Sequence, residues 1–172
     1  MPLNQVIIGT VNTPGGVFGA VYTRKGLARL TFPSEPLAWC DDWVKRWEPD
    51  AVRVPAEGRL AELEGQLSAY FLGQLKAFAI PVDMRGTPFQ QEVWQALQTI
   101  PFGQIRSYGQ VANQIGRPRA VRAVGAANGA NPVPIIVPCH RVIGSNGKLT
   151  GYAGGLPLKL QLLKTEGFLP KV

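Results

Sequence analysis

The chain has 172 residues, 45% of them hydrophobic, and a formal net charge of +7, an ordinary composition for a globular protein of one or two domains. No apolar run approaches the roughly 20 residues of a membrane span. The start of the chain lacks the features of a secretory signal, so we expect a cytoplasmic protein without membrane contact. Two cysteines and one histidine are too few for a cysteine/histidine zinc site, so no metal is expected.

The charge is divided unevenly between the two halves of the chain. Residues 1–84 hold 8 Lys and Arg against 9 Asp and Glu, a net charge of −1, whereas residues 85–172 hold 10 against 2, a net charge of +8. Such an excess of positive charge indicates a nucleic-acid-binding surface on the second half. A generally basic surface is the alternative, and charge alone does not decide between the two.

The first half is predicted to be a small α/β domain. Short apolar and β-branched segments bounded by turn residues indicate its strands. They lie at residues 6–11, 17–22, 27–32 and 78–82. Because very short connections join the first three strands, these are expected to form antiparallel hairpins.

Two helices of the first half are indicated by apolar residues at helical spacing, over 36–47 and 60–72. Three tryptophans recur every four residues along the first helix, which predicts one packed face rather than a cofactor stack. They are Trp39, Trp43 and Trp47. Cys40 lies in the same helix and is expected to be structural. This half contains no catalytic constellation.

The second half is predicted to be mostly helical. Thr87 is a good N-cap for a helix that begins at Pro88. A compact pair of helices follows, over 108–115 and 120–129, with Ser107 as the cap of the first. Two helices joined by a tight turn form a helix-turn-helix, whose second helix enters a DNA groove. Helix pairs are common, so this spacing alone supports DNA binding only weakly.

The composition of this helix pair adds support for DNA binding. Small residues on the second helix, such as Ala123 and Gly125, allow a nucleic-acid backbone to approach closely. Arg117, Arg119 and Arg122 surround that face and can meet phosphates.

One cysteine is followed directly by the only histidine of the chain, Cys139 and His140. The β-branched run 133–137 before them is expected to be extended and buried, and Pro138 ends it, so Cys139 lies at the base of a pocket. This pattern is typical of an activated thiolate. A buried structural cysteine is the alternative. Neighbours in an extended chain also point to opposite faces, so direct contact would require a turn, and otherwise a bridging water.

The hexapeptide Val-Pro-Cys-His-Arg-Val at 137–142 resembles the acceptor-cysteine motif of the O6-alkylguanine-DNA alkyltransferases, the methylated-DNA–protein-cysteine methyltransferases. Other segments follow the order and spacing of that family. They are Ser-Tyr-Gly-Gln at 107–110, Arg-Ala-Val-Gly at 122–125, Asn-Pro at 131–132, Gly-Tyr at 151–152 and Lys-Thr-Glu-Gly at 164–167. The resemblance is strong over 85–172 and weaker over 1–84.

The resemblance implies an α/β (α+β) fold in two domains. Residues 1–84 would form the N-terminal α/β domain, a small antiparallel sheet with helices. Residues 85–172 would form the DNA-binding and alkyl-acceptor domain, mostly helical with a helix-turn-helix. It also implies a monomer that flips O6-alkylguanine, and possibly O4-alkylthymine, out of double-stranded DNA and transfers the alkyl group irreversibly to its own cysteine. No cofactor is implied.

Site residues follow from the resemblance position by position. Cys139 would accept the alkyl group, His140 would activate it through a water, Glu166 would orient the imidazole, and Asn131 would brace the turn. Tyr108 would help to rotate the nucleotide and contact the base, as part of both the substrate pocket and the DNA surface. The other pocket residues implied are Val142, Tyr152, Ala153, Gly154 and Lys159. The DNA surface would comprise Tyr108, Arg117, Arg119, Arg122, Ala123 and Gly125, with Arg122 filling the gap left by the base.

Two positions depart from the family pattern. Ala153 stands where some relatives place serine, and Asn128 stands where some have a larger apolar residue.

Two other functions are compatible with parts of the sequence. A cysteine hydrolase would also use cysteine and histidine, although it needs a histidine that is distant in the chain. A non-catalytic lesion binder would use the same helix-turn-helix but would not need Cys139.

Overall fold

The structure, a computed structural model, describes residues 4–170. The chain divides into two compact units, Met1–Met84 and Arg85–Val172. Within the described residues, no helix combines the length and apolar character that a membrane crossing requires.

The first unit is built on a four-stranded sheet with the order β3-β2-β1-β4. Its strands are β1 (Gln5–Thr13), β2 (Gly16–Thr23), β3 (Gly26–Leu30) and β4 (Val52–Arg53). The predicted hairpins are confirmed, since β2 pairs antiparallel with both β1 and β3. The strand predicted at 78–82 is wrong: only Val82 forms an isolated bridge, to Leu27. Pro81 has no N–H to donate, which limits pairing there to its carbonyl.

Two helices belong to this unit, α1 (Ala38–Trp47) and α2 (Arg59–Phe71). Cys40 and Trp43 on α1 pack into an apolar cluster on the sheet, with Trp47 partly buried beside it. Trp39 is 43% exposed, so the predicted face of three tryptophans is only partly formed. A four-residue spacing exceeds the 3.6 residues of a helical turn, and the stripe therefore drifts around the helix.

The second unit contains four α-helices, two very short strands and one 3-10 turn in its described residues. They are α3 (Pro88–Leu97), β5 (Arg106–Ser107), α4 (Tyr108–Gln114), α5 (Val121–Gly129), the 3-10 turn Cys139–Arg141, β6 (Val142–Ile143) and α6 (Leu156–Thr165). The short strands pair in parallel, which joins the start of α4 to the segment after the 3-10 turn.

The helix starts of this unit follow from local sequence. Thr87 accepts a hydrogen bond from the Gln90 N–H, and the Gln90 side chain accepts one from the Thr87 N–H, so the cap of α3 is a complete capping box. Ser107 and Gln110 make the same reciprocal pair at α4. The predicted helix-turn-helix is thereby present as α4, a short turn and α5.

Candidate active site

The segment before Cys139 is buried as predicted, but it is not extended. Ile135 has φ +73°, and the Val137 N–H donates to the Val133 carbonyl at 3.0 Å, so the run 133–137 folds into a turn. The side chain of Asn131 imposes this turn. Its Nδ2 donates to the Val137 carbonyl at 2.8 Å and its Oδ1 accepts from the Val133 N–H at 3.0 Å. Two side-chain hydrogen bonds therefore override the β-preference of the sequence.

Cys139 begins the 3-10 turn and is only 3% exposed. Its N–H donates to the Val137 carbonyl at 2.8 Å, and its carbonyl accepts from the Val142 N–H and from Asn128 Nδ2, the latter at 3.3 Å. The side chains of Asn131 and Tyr152 act on the thiol and lower its pKa. The nucleophile is thus held from several sides.

His140 and Glu166, predicted to act together, do meet. His140 Nε2 lies 2.8 Å from Glu166 Oε1, and both side chains are at most 1% exposed. A carboxylate only accepts hydrogen bonds, so Nε2 carries the proton, and Nδ1 of the neutral ring is the nitrogen with a lone pair. The imidazole therefore has one basic nitrogen for the thiol proton.

Arg141 is a member of this cluster that the sequence analysis missed. Its Nε and Nη2 lie 2.9 Å from Glu166 Oε2 and 2.8 Å from Oε1, and its Nη1 donates to the Ile100 carbonyl at 2.6 Å. The Gly103 N–H also donates to Glu166 Oε2, at 3.1 Å. The sequence did contain a signal for this pairing. An arginine in the least polar stretch of the chain needs an acidic partner, and residues 85–172 contain only two acidic residues.

Burial acts on the pKa of both the Cys139 thiol and the His140 imidazole. Burial raises the pKa of the Cys139 thiol above its usual 9.0, although Asn131, Tyr152 and Lys159 act in the opposite direction. Burial lowers the pKa of His140, against the effect of Glu166. The activated thiolate therefore stays a prediction, since burial disfavours the charged form of both groups while neighbours such as Asn131 and Glu166 favour it.

Lys159 also acts on the Cys139 thiol. It is fully buried on α6, with Nζ 3.4 Å from the Thr150 carbonyl and 5.7 Å from the centre of the Tyr152 ring. Burial lowers its pKa from 10.5 to about 8, and the charge of Cys139 partly offsets this. Lys159 thus interacts electrostatically with Cys139, and its cation favours the thiolate.

The remaining predicted pocket residues differ in burial. Val142 is fully buried and follows the 3-10 turn. Ala153 is exposed and Gly154 is partly buried, in the segment before α6. Tyr108 is partly buried at the start of α4, and its hydroxyl accepts a hydrogen bond from Thr150 Oγ1 at 3.0 Å. Thr150 therefore contacts both Tyr108 and Lys159.

The predicted DNA-facing residues differ in exposure and in pairing. Arg119, Arg122 and Ala123 are exposed on the turn and on α5. Gly125 is partly buried, and a Cβ there would lie 3.9 Å from the Tyr108 ring, so α5 passes close to that residue. Arg117 is exposed but already paired, with both its Nε and Nη2 at 3.2 Å from the carboxylate of Glu92.

Comparison with known proteins agrees with this geometry. Residues 88–168 match the family described as 6-O-methylguanine DNA methyltransferase, DNA binding domain. The methylated-DNA–protein-cysteine methyltransferase of Methanosarcina acetivorans is 46% identical over 162 residues, 93% of each chain. That of Mycobacterium leprae is 59% identical over 121 residues, 70% of this chain and 73% of the relative.

A solved structure extends the likeness to the whole fold. The crystal structure of Mycobacterium tuberculosis O6-methylguanine methyltransferase superposes with a TM-score of 0.79 at 44% identity, over 94% of this chain and 93% of that one. The predicted α+β fold and the predicted family are both confirmed. The chain belongs to the methylated-DNA–protein-cysteine methyltransferases, the O6-alkylguanine-DNA alkyltransferase family.

Proposed function

We propose that this protein repairs duplex DNA by transferring the alkyl group of O6-alkylguanine to Sγ of Cys139, once per molecule. The observation that carries the proposal is the buried nucleophile beside a buried histidine–carboxylate pair, His140 and Glu166, at 2.8 Å. The relatives named above carry the same activity in their names, and the Mycobacterium tuberculosis protein OGT, 44% identical to this chain, has been crystallised in complex with DNA.

The proposed reaction starts with a proton transfer from the Cys139 thiol to His140. Nδ1 of His140 takes the thiol proton through a water, and Glu166 stabilises the resulting imidazolium. The thiolate attacks the alkyl carbon, the carbon–O6 bond breaks, and the leaving base takes up the proton that His140 received and becomes guanine. Lys159 stabilises the Cys139 thiolate until the alkyl group is transferred. The product is a thioether that no described group can reverse, so each molecule reacts once.

The burial of Cys139 bears on how the lesion reaches it. At 3% exposure, Sγ cannot contact an alkyl carbon that remains within a base stack. The nucleotide must therefore be rotated out of the duplex into the protein. Tyr108 at the start of α4 is placed to guide this rotation, and the exposed Arg122 on α5 to fill the vacated space.

The pocket assignment and the state of the protein belong to the same proposal. Val142, Tyr152, Ala153 and Gly154 form walls around the alkylated base, with Lys159 behind Tyr152. One chain carries the nucleophile, its acid–base partners and the DNA-facing helices, which supports a monomer as the active species. Its proposed substrate is cellular DNA, and the compartment we propose for the protein is the cytoplasm.

The test uses duplex DNA that carries O6-methylguanine with an isotopically labelled methyl group. After incubation, the label is located by peptide mass spectrometry. We expect it on Cys139 alone, at no more than one equivalent per protein. Label on Cys40, or many turnovers per molecule, would refute the proposal. A parallel assay on peptide substrates excludes a cysteine hydrolase if no product appears.

A further inference from the structure

Two asparagines, three residues apart in the chain, donate hydrogen bonds to backbone carbonyls on either side of Pro138. Asn131 Nδ2 donates to the Val137 carbonyl at 2.8 Å. Asn128 Nδ2 donates to the carbonyl of Cys139 itself, at 3.3 Å. The first contact shapes the turn before the nucleophile, whereas the second reaches the nucleophile's own peptide group.

Asn128 differs from Asn131 in the element that carries it. Asn128 lies in the last turn of α5, the helix that also presents Arg122 to solvent. The Cys139 carbonyl accepts a second hydrogen bond from the Val142 N–H. The peptide of the nucleophile is therefore fixed between the DNA-facing helix and β6, with Asn128 as its side-chain link to α5.

The Asn128 side chain that makes this hydrogen bond also lowers the stability of the fold, through its amide oxygen. Asn128 is 5% exposed, and its Oδ1 is buried without a hydrogen-bond partner in the described part of the chain. Turning the amide over would not help, because Oδ1 would then face the Cys139 carbonyl, acceptor against acceptor. A buried unpaired oxygen is destabilising, and such groups in native structures call for an explanation. An apolar residue of similar size would avoid it.

We propose that Asn128 is a positioning residue that keeps the Cys139 nucleophile at a fixed position relative to α5, and so relative to the DNA that this helix contacts. The inference rests on the proposed function. DNA docking on α5 determines where the rotated nucleotide enters the protein. Asn128 also lies on α5, and its hydrogen bond to the Cys139 carbonyl holds Sγ at a fixed position relative to that helix. A displacement of about 1 Å between reacting atoms lowers a rate roughly 100-fold.

The test compares Asn128→Leu, which removes the link and the orphan oxygen, with Asn128→Ala. Asn12→Ala, at an exposed asparagine of β1, is the matched control. Four quantities are measured: the melting temperature, the dissociation constant for undamaged duplex, the single-turnover rate constant at saturating O6-methylguanine duplex, and the rate of thiol alkylation by iodoacetamide against pH.

We expect both Asn128 variants to bind duplex within about twofold of wild type and to transfer the alkyl group about 10- to 100-fold more slowly when saturated. The melting temperature of Asn128→Leu should equal or exceed that of wild type, and the iodoacetamide profile should be unchanged. A saturated rate constant equal to wild type would overturn the proposal. So would an equal loss in iodoacetamide reactivity, which would show that Asn128 acts on thiol ionisation.

Loss of folding in both variants would also overturn it, because Asn128 would then be a structural residue. These results are separable from failure of the proposed function. If wild-type protein takes up no label from the lesion duplex, the function is wrong. If wild type and both variants react at the same rate, only the role of Asn128 is wrong.

Discussion

The two cysteines of this chain make an instructive comparison, because both are buried and their surroundings differ in charge. Cys40 is 1% exposed and Cys139 is 3% exposed. Burial raises the pKa of each thiol, in the case of Cys40 to about 11. Asp41 and Glu35 raise the pKa of Cys40 further, against Arg29 and a hydrogen bond from Thr31. Burial alone therefore does not separate an inert cysteine from a reactive one.

Every specific contact named for Cys139 favours its thiolate. Asn131, Tyr152 and Lys159 all lower the pKa of this thiol, in opposition to burial. Cys40 instead packs among apolar side chains on the sheet, such as Val21 and Ala28. The comparison teaches that reactivity depends on donors and acid–base partners close to the sulfur, which compensate for desolvation when the charge develops.

The largest expected effect separates the two cysteines directly. Cys139→Ser should lower alkyl transfer more than about 1,000-fold, because a serine hydroxyl at this site has no comparable anionic form near neutral pH. Cys40→Ser should transfer at the wild-type rate. Single-turnover transfer from labelled duplex measures both variants. Retained transfer in Cys139→Ser would place the acceptor elsewhere in the chain.

The next largest effect is expected at Glu166, which belongs to the buried ionic cluster beside Cys139 and has no counterpart at Cys40. In Glu166→Gln, an amide group would face donors from His140 and Arg141, and the buried guanidinium would lose its counter-ion. Breaking a buried ion pair costs about 3–5 kcal/mol, so urea unfolding should report a loss of that order. Transfer at pH 7 should fall at least about 100-fold, since the imidazolium is no longer stabilised.

Two further measurements sharpen this prediction. Raising the pH should restore part of the Glu166→Gln rate, because thiolate then forms without the histidine. Glu92→Gln is the matched control: Glu92 pairs with Arg117 at 3.2 Å on the surface, and exposed pairs contribute under about 1 kcal/mol. An unchanged pH–rate profile in Glu166→Gln would show that the histidine–carboxylate pair plays no part in the chemistry.

A third prediction tests whether Cys139 is reached through DNA. Arg122→Ala should slow transfer from duplex about 30-fold, since an unfilled stack costs roughly 2 kcal/mol, and should hardly affect reaction with free O6-alkylguanine base. Duplex affinity of the wild type should fall steeply with salt. Arg24→Ala, at an exposed arginine of the first unit, is the control. Equal losses on duplex and free base would place Arg122 in the pocket or the fold.

A fourth, smaller effect is expected at Lys159. Lys159→Met removes the cation beside Cys139, so the thiol pKa should rise and transfer at pH 7 should fall about tenfold. Because burial lowers the pKa of Lys159 from 10.5 to about 8, the unfolded chain binds more protons between those values. Wild-type stability relative to that of the variant should therefore rise with pH from 8 to 9, because the two thiols titrate in both proteins and their contributions largely cancel in the difference. A parallel rise in the variant would contradict the assignment.

The comparison also shows what the sequence could and could not predict. The caps at Thr87 and Ser107 were readable because Thr and Ser favour the N-cap position, and in both the structure adds a complete capping box within four residues. The extended run before Cys139 was predicted wrongly, because the Asn131 side chain, and not β-propensity, determines the backbone there. The pairing of Arg141 with Glu166 spans 25 residues, and only the folded chain brings them together. Local rules thus predicted elements, whereas the reactive environment depends on tertiary contacts.

The smallest effect on transfer is expected from Thr31→Val, beside Cys40. Thr31 is fully buried, and its Oγ1 accepts a hydrogen bond from the Gly19 N–H at 2.8 Å as well as bonding the Cys40 thiol. Valine keeps the shape but leaves that N–H unpaired, which costs about 1–3 kcal/mol of unfolding free energy. The pKa of Cys40 should rise further, because the lost hydrogen bond had lowered it.

Transfer to Cys139 should nevertheless stay at the wild-type rate at temperatures well below unfolding. Urea unfolding measures the stability of Thr31→Val, the pH dependence of iodoacetamide labelling measures the Cys40 thiol, and the duplex assay measures transfer. Thr31 and Asn131 each lower the pKa of a buried thiol, so the two sites are matched in this respect. If Thr31→Val slowed transfer while remaining folded, the inert role assigned to Cys40 and its surroundings would be wrong.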